Sequence, residues 1–436
     1  MRSDTRYFFK FSVTRSLAGL FLLLAGCANT QNHTATVSEC MEDSLIVLED
    51  DYPAVSDTIS VSRFVDSLFY IPLGATNGDK IDEVQKVMMT GRYIFVHNVM
   101  EGLYMFTREG AFLRKITGEC WGFDVQEAAE RIYVACRNRI QVYDFSGNII
   151  HARIPLDEET TGIGNFIAAI DTGKIAVSVW NRGVETNRLV IMKTDGSIVR
   201  AFPNHEKFRS LRTPVVSASR FHRTLFRYHD EIHYHPYYSD TLFSLSGERL
   251  EPVFVEHKIF KVPQAHRLEY LGDEQAFGSY CIENSAYATR FLETSRFMLV
   301  IYNVGRIFRT LPNYLLYDKQ TAELYNYRQY MIFKNGRYHF GLFNDYDGGL
   351  PFNPEFTSGE YLIEACNAAR FIRDYTNGRE MMNCNKDSTV CTIQHYDIRS
   401  DRYPTPARKE VPEHLIRQIT ANDNPVLIVA KLKRKE

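Results

Sequence analysis

A weak unit of alternating strands recurs between residues 84 and 330, and it constrains the fold more than any other feature of the chain. Each copy holds an apolar strand, a short loop bearing Asn or Asp, a second strand, a tight turn and a third strand. The copies are "YIFVHNVMEGLYMFTREGAFLRKI" from Tyr93, "RIYVACRNRIQVYDFSGNIIHARI" from Arg131 and "KIAVSVWNRGVETNRLVIMKTDGSIVRAF" from Lys174. Two more follow, "EIHYHPYYSDTLFSLSGERLEPVFV" from Glu231 and "RFMLVIYNVGRIFRTLPNYLLYDKQTAELYNY" from Arg296. The turn residues Gly110, Gly147, Gly196 and Gly247 stand 37, 49 and 51 residues apart. Glycine suits them because tight hairpins often require a positive φ. A period of roughly 40–50 residues with several strands per copy is that of a propeller blade, whereas solenoid repeats are shorter and more regular. With 26 Tyr, 29 Phe and little helical periodicity, the composition also points to an all-β fold.

Five outer hairpins are visible, and the remaining sequence must supply a sixth blade. "RYHFGLFNDYDGGLPFNP" and "EYLIEACNAARFI" offer its inner strands; "SLFYIPLG" (residues 67–74) and "NPVLIVAKLK" offer its outer ones. Asn424-Pro425 break the preceding segment, and Val426 to Leu432 is an apolar, branched run. Pairing the early strand with the late one closes the ring and removes the open edge between first and last blades. "VPEHLIRQIT" reads as a short amphipathic helix outside the ring. The expected domain is a six-bladed β-propeller over residues 59–436, closed by N- and C-terminal strands.

Ahead of it, residues 1–26 read as a lipoprotein signal peptide. Arg2, Arg6, Lys10 and Arg15 precede an apolar stretch from Leu17 to Ala25, too short for the about 20 apolar residues of a membrane-spanning helix. Leu24-Ala25-Gly26-Cys27 resembles the lipobox of bacterial lipoproteins, in which the thiol, here that of Cys27, takes the lipid. Acyl chains contribute about 0.8 kcal/mol per buried methylene, enough together to anchor a protein without a spanning helix. A plain secretory signal with an incidental cysteine is the alternative. Residues 27–58, small and polar at first, read as a flexible tether. The expected location is the cell envelope, lipid-anchored at the outer membrane, on either leaflet.

The formal net charge of −2 gives no basic face for nucleic acid; the concentrated basic run is Lys431, Lys433, Arg434 and Lys435. Of eight cysteines, lipidation of Cys27 leaves an odd number, so at least one cannot pair within the chain. Cys384 and Cys391, around a polar loop, are a candidate disulfide, and Cys120 with Cys136 is a second; separately buried thiols are the alternative.

At "YIPLGATNGDKIDEVQKV", "YSDTLFSL", "NDYDGGLPFNP" and "DNPVLIVAKLK" the chain resembles the six-bladed β-propeller lipoproteins of Bacteroidetes, related in shape to NHL-repeat propellers. The likeness covers about residues 59–436. That family tends to carry Trp-Pro after Asn-Asp-x-Asp-Gly-Gly, and Phe352-Asn353-Pro354 lacks the Trp. The resemblance implies the fold and no particular activity.

The densest chemistry is "FHRTLFRYHDEIHYHPYY", with His222, His229, His233 and His235. On a strand, His233 and His235 share a face and could point at one Zn or Cu ion, although no third ligand stands near in sequence. Blade packing or polar contact with a ligand are the other readings. Asn344, Asp345 and Asp347 could offer oxygens to Ca²⁺ or hydrogen bonds to a sugar or peptide, or could simply bond their own turn. Trp121 and Trp180 are candidate stacking platforms at blade edges, or core residues. No phosphate loop, nucleophile elbow, zincin helix or CxxC pair occurs, so no catalytic residue and no cofactor is expected, with Ca or Zn as the metal options. The expected function is a membrane-tethered, non-catalytic binding or scaffold protein, using a propeller face or channel mouth for a small ligand, glycan, peptide or envelope protein. The alternative is a propeller enzyme, a lyase or hydrolase with or without a metal, whose residues meet in the central channel from distant parts of the chain.

Overall fold

Strand after strand in this chain is buried on both faces near the centre of a blade and on one face at its rim, a gradient that the local sequences follow. In blade 3, for example, "KIAVS" is almost wholly buried whereas "IVRAFP" is mostly exposed. The computed structural model describes residues 45–48, 59–98, 101–156, 166–179, 185–205, 224–228, 231–236, 239, 241–256, 276, 279, 280, 283, 287–304, 313–328, 330–334, 337–346, 351–376 and 413–433. Cys27, Trp180, His222, His229, Asp347, Cys384, Cys391, the signal peptide and most of the tether lie outside these residues.

Two strands precede the first blade, β1 (Ile46–Leu48) and β2 (Val65–Pro72). Blade 1 is β3 (Val84–Met89), β4 (Tyr93–Asn98), β5 (Gly102–Thr107) and β6 (Phe112–Thr117). Blade 2 is β7 (Gly122–Gln126), β8 (Arg131–Ala135), β9 (Arg139–Asp144) and β10 (Ile149–Pro155). Blade 3 is β11 (Phe166–Ala169), β12 (Lys174–Ser178), β13 (Asn187–Lys193) and β14 (Ile198–Pro203). Blade 4 is β15 (Leu225–Tyr228), β16 (Glu231–Tyr234), β17 (Thr241–Ser246) and β18 (Arg249–Glu256). Blade 5 is β19 (Tyr287–Glu293), β20 (Phe297–Val304), β21 (Asn313–Asp318) and β22 (Glu323–Arg328). After a two-stranded ribbon, β23 (Tyr330–Lys334) with β24 (Arg337–Gly341), come β25 (Phe356–Ser358), β26 (Tyr361–Cys366), helix α1 (Ala368–Thr376), helix α2 (Glu413–Gln418) and β27 (Val426–Leu432).

Each blade is antiparallel, and together they form the expected six-bladed β-propeller. In blade 6 the order is β2, β27, β26, β25, so β27 is hydrogen-bonded on both sides. Its side chains feed two cores. Leu427 and Val429 pack with Ile94, Val96 and Tyr104 of blade 1; Val426, Ile428, Ala430 and Leu432 pack with Leu299, Tyr314 and Leu316 of blade 5. Asn424 pins the start of the strand, accepting from the Ile81 N–H at 3.0 Å and donating to the Gly74 carbonyl at 2.7 Å. The sequence-predicted closure and outside helix are therefore present, with Leu415 of α2 buried against the blade 5–6 core.

Other expectations need correction. "RYHFG" joins the β23–β24 ribbon and not blade 6, whose innermost strand is the three-residue β25; "ARFI" belongs to α1. Within the segment read as a tether, β1 adds a fifth, parallel strand to the rim of blade 4, pairing Ile46 with Phe254 and Leu48 with Glu256. Cys120 and Cys136 are buried free thiols, and burial pushes the Cys136 thiol up to about 11. The four turn glycines all have positive φ, between 59° and 91°. The matching turn of blade 5 uses Ala322 at φ 56°, which is why no glycine marks the fifth repeat.

Candidate functional site

The innermost strand of a blade has one edge with no neighbour in its own sheet, so its N–H and C=O groups must find partners elsewhere. Here side chains of adjacent inner strands supply many of them. Lys86 Nζ of blade 1 donates to the Phe123 carbonyl of blade 2 at 2.5 Å and stands over the Phe123 ring. Asp124 of blade 2, fully buried, accepts from the Ala169 N–H of blade 3 at 2.8 Å. Arg227 of blade 4 completes that junction, donating to Asp124 Oδ2 at 2.5 Å and to the Ala169 carbonyl at 2.7 Å. Arg290 of blade 5 donates to the Pro354 carbonyl at 3.1 Å, and Thr357 of blade 6 donates back to the Glu293 carbonyl at 2.9 Å. Ser358 closes the circle, accepting from Met89 N–H and donating to Met89 O in blade 1. Charged residues on the inner strands of four blades thus bridge one blade to another around the inside of the ring.

Blades 4 and 5 are joined by a second cluster. β19 ends at Glu293, whose carboxylate is 4% exposed; Oε1 accepts from Lys319 Nζ at 2.6 Å, and Oε2 lies 2.6 Å from His233 Nδ1. Lys319 is held in the turn after β21, its N–H donating to the Arg296 carbonyl while Arg296 pairs with Asp318 at 2.9 Å. Its ammonium also donates to the Thr294 carbonyl and stands 4.1 Å from the centre of the Tyr228 ring. His233 packs against Phe226 and Tyr228, and its Nε2 is 3.3 Å from the exposed Glu231. Burial pushes the Glu293 carboxyl up, but His233 and Lys319 outweigh it and hold the group below its ordinary value. Burial first, then the charge on Glu293, pushes the Tyr228 phenol up to about 12.

His233 and His235 do share a face, as the strand period requires, and both look at blade 5. They meet different partners. His235, 2% exposed, stacks edge-on against Phe291 at 4.7 Å, and its Nε2 lies 3.0 Å from the Ser239 carbonyl in the β16–β17 loop. Asn344 Oδ1 accepts from the Tyr346 N–H, the local turn bond that Asn favours, and Asp345 accepts from both the N–H and the hydroxyl of Ser62. Trp121 is 39% exposed immediately before β7, its N–H donating to the Ala135 carbonyl; that puts it at the face where the inner strands begin. Among the described residues, no group of three or more His, Cys, Asp and Glu side chains is arranged to hold a metal ion. Sequence reasoning passed over Lys86, Asp124, Arg227, Arg290, Glu293 and Lys319. The first four carry a readable signal, a charge inside a short, largely apolar strand ahead of the repeat, alone in "VQKVMM", "GFDVQ" and "LFRY" and joined by Glu293 in "YATRFLE".

Residues 45–431 match a family described as a domain of unknown function, DUF4934. The chain belongs to that family. Its match starts beside β1, so the rim strand of blade 4 falls inside the DUF4934 domain. An exported protein from Bacteroides fragilis is similar to this DUF4934 chain at 13% identity and TM-score 0.60, over 90% of this chain and 100% of its own length. That likeness bears on the fold. The extracellular domain of a one-component system from B. thetaiotaomicron aligns at 12% identity and TM-score 0.34, over 64% of this chain and 36% of its own. That of a hybrid two-component system from the same organism aligns at 12% and 0.32, over 71% and 41%. The chain therefore spans well under half of either extracellular domain. No curated protein matches the sequence. No helix among the described residues is long and apolar enough to cross a membrane.

Proposed function

We propose that the protein is a lipid-anchored, non-catalytic binding protein of the cell envelope, NHL-like in shape, that takes its ligand in the central channel of the propeller. One observation carries this reading: Lys86, Asp124, Arg227 and Arg290 put charged groups on the inner strands of four blades, where a purely structural ring could use apolar ones. Convergent polar groups in a concavity are what small-ligand sites use to fix orientation. The export signal and Cys27 support the anchored location, with the outer membrane as the membrane concerned. The enzyme reading has one observation in its favour, the His233–Glu293 pair, since a carboxylate beside an imidazole suits general acid–base chemistry. His233 is 3% exposed, however, which favours a seam over a substrate site.

The test is a thermal-shift screen of the full chain against glycans, short peptides and small metabolites, run beside a Cys27→Ser variant in cell fractions. A ligand at a hundred times its Kd should stabilise the fold by about 2.7 kcal/mol. Cys27→Ser should move the protein out of the membrane fraction. A screen with no saturable shift, or turnover of a hit, would sink the binding reading; an unchanged fraction would sink the anchor.

A further inference from the structure

The cations of the inner strands differ in how they are neutralised. Arg227 has the carboxylate of Asp124 at 2.5 Å, and Lys86 faces the Phe123 carbonyl and ring. Arg290 has a carbonyl as well, but among the described residues neither a carboxylate in contact nor a ring beneath it. Among the described residues it makes a single hydrogen bond, to the Pro354 carbonyl, and forms no ion pair; its Nε is buried with no acceptor. Glu355 acts on it through space, from outside ion-pair distance. A guanidinium offers five N–H donors in a planar fork, so most of this one's capacity is open. Desolvating an unpaired cation is costly, and such a group persists where something else compensates it. The residue as a whole is half-buried, so solvent and solutes reach part of it.

We propose that Arg290 is the ligand-recognising group of the channel, and that the ligand carries an oxyanion, a carboxylate or a phosphate, which the guanidinium grips bidentately. The proposal rests on the channel-binding reading above and specifies its ligand class. Geometry favours it in two ways. β19 holds Arg290 on the side of Leu292, facing blade 6, while Phe291 on the other side anchors the strand in the blade 4–5 core. The bond to Pro354 O uses one NH2 hydrogen and fixes the plane of the guanidinium, leaving the second NH2 hydrogen to form a fork with Nε–H or with NH1 for an incoming anion.

The experiment uses the full chain, its Arg290→Lys and Arg290→Gln variants, and three probes at matched ionic strength: inorganic phosphate, succinate and the uncharged sugar glucose, read by thermal shift and titration calorimetry. Phosphate or succinate should raise the melting temperature of the wild type saturably, and which of the two does so identifies the anion source. Arg290→Lys, which keeps the charge but loses the fork, should weaken that binding by at least about tenfold. Arg290→Gln should abolish it and melt, without probe, no lower than wild type, because it removes an uncompensated buried charge. A merely structural Arg290 would instead lower the melting temperature of the ligand-free variants. If neither anion shifts the wild type, or both variants respond to it as wild type does, the assignment is overturned. Saturable glucose binding unaffected by either variant would also overturn it while leaving the channel-binding reading intact; silence towards every probe and the wider screen would remove both.

Discussion

Replacing Glu293 with Gln is the sharpest probe of the blade 4–5 seam. The carboxylate is 4% exposed and lies 2.6 Å from Lys319 Nζ and 2.6 Å from His233 Nδ1, so the substitution leaves Lys319 facing a neutral amide in a buried place. Removing one member of a buried charge pair typically costs about 3–5 kcal/mol. Lys319 keeps its bond to the Thr294 carbonyl and its place over Tyr228, and it is 20% exposed, so the lower end of that range, about 3 kcal/mol, is expected. Urea unfolding at pH 7 should show a lower midpoint with an unchanged slope. Replacing Glu293 and Lys319 together by Leu and Met should recover most of the loss, since apolar groups of similar volume often match a buried pair. The sign with pH follows from the carboxyl's depressed value. Its contribution is present above the unfolded-state value of 4.5 and is lost as pH falls through the folded one, so the gap between wild type and variant should close in acid. A loss below about 1 kcal/mol at pH 7, or a gap that persists in acid, would refute the reasoning.

His97, buried with Nε2 on the Cys120 carbonyl, is held down to about 4, chiefly by burial. Because the unfolded chain binds its proton first, stability should fall by about 3 kcal/mol from pH 6.5 to 4, and His97→Gln should flatten that slope in urea titrations; an unaltered slope would count against it. Deleting residues 424–436 removes β27, where Val426, Leu427, Ile428, Val429, Ala430 and Leu432 are all at most 4% exposed. At roughly 1.5–3 kcal/mol for each large side chain, the loss rivals a whole domain's stability; the truncated chain should be insoluble or rapidly proteolysed, and an unchanged melting temperature would show that the strand closes nothing. Ala322→Gly should stabilise the protein by up to about 1 kcal/mol, because Ala322 holds φ 56°, and a lower melting temperature would contradict that.

Much of the ring was legible because its signals are local. Gly110, Gly147, Gly196 and Gly247 mark their turns because glycine takes the positive φ there most easily, and alternating strands flank them. β25 was not legible, since "FTS" is too short to show a period, and β1 hides for the same reason in a polar segment. The seam divides the same way. That His233 and His235 share a face is a property of one strand, but Glu293 arrives from 60 residues on and Lys319 from later still, by a packing of blades that no local pattern encodes. Asp345 and Ser62 are a further case, 283 residues apart.

The place of β27 between β26 and β2 also governs the order in which the molecule can assemble. The four antiparallel strands of each of blades 1 to 5 are consecutive in sequence, β1 at the rim of blade 4 being an addition from far upstream, so their pairing closes only short stretches of chain. β2 and β27 pair residues more than 350 positions apart, Val65 with Leu432 and Pro72 with Val426. Loop-closure entropy grows slowly with length, by only about 0.6 kcal/mol per doubling, so this long connection weakens the finished ring little. Its effect on rate is greater, because distant contacts form late and slow the search. A nascent chain can therefore stack five blades into an open arc, exposing the flanks of blades 1 and 5 with their apolar side chains, until β27 slides into the slot beside β2 and the arc becomes a ring.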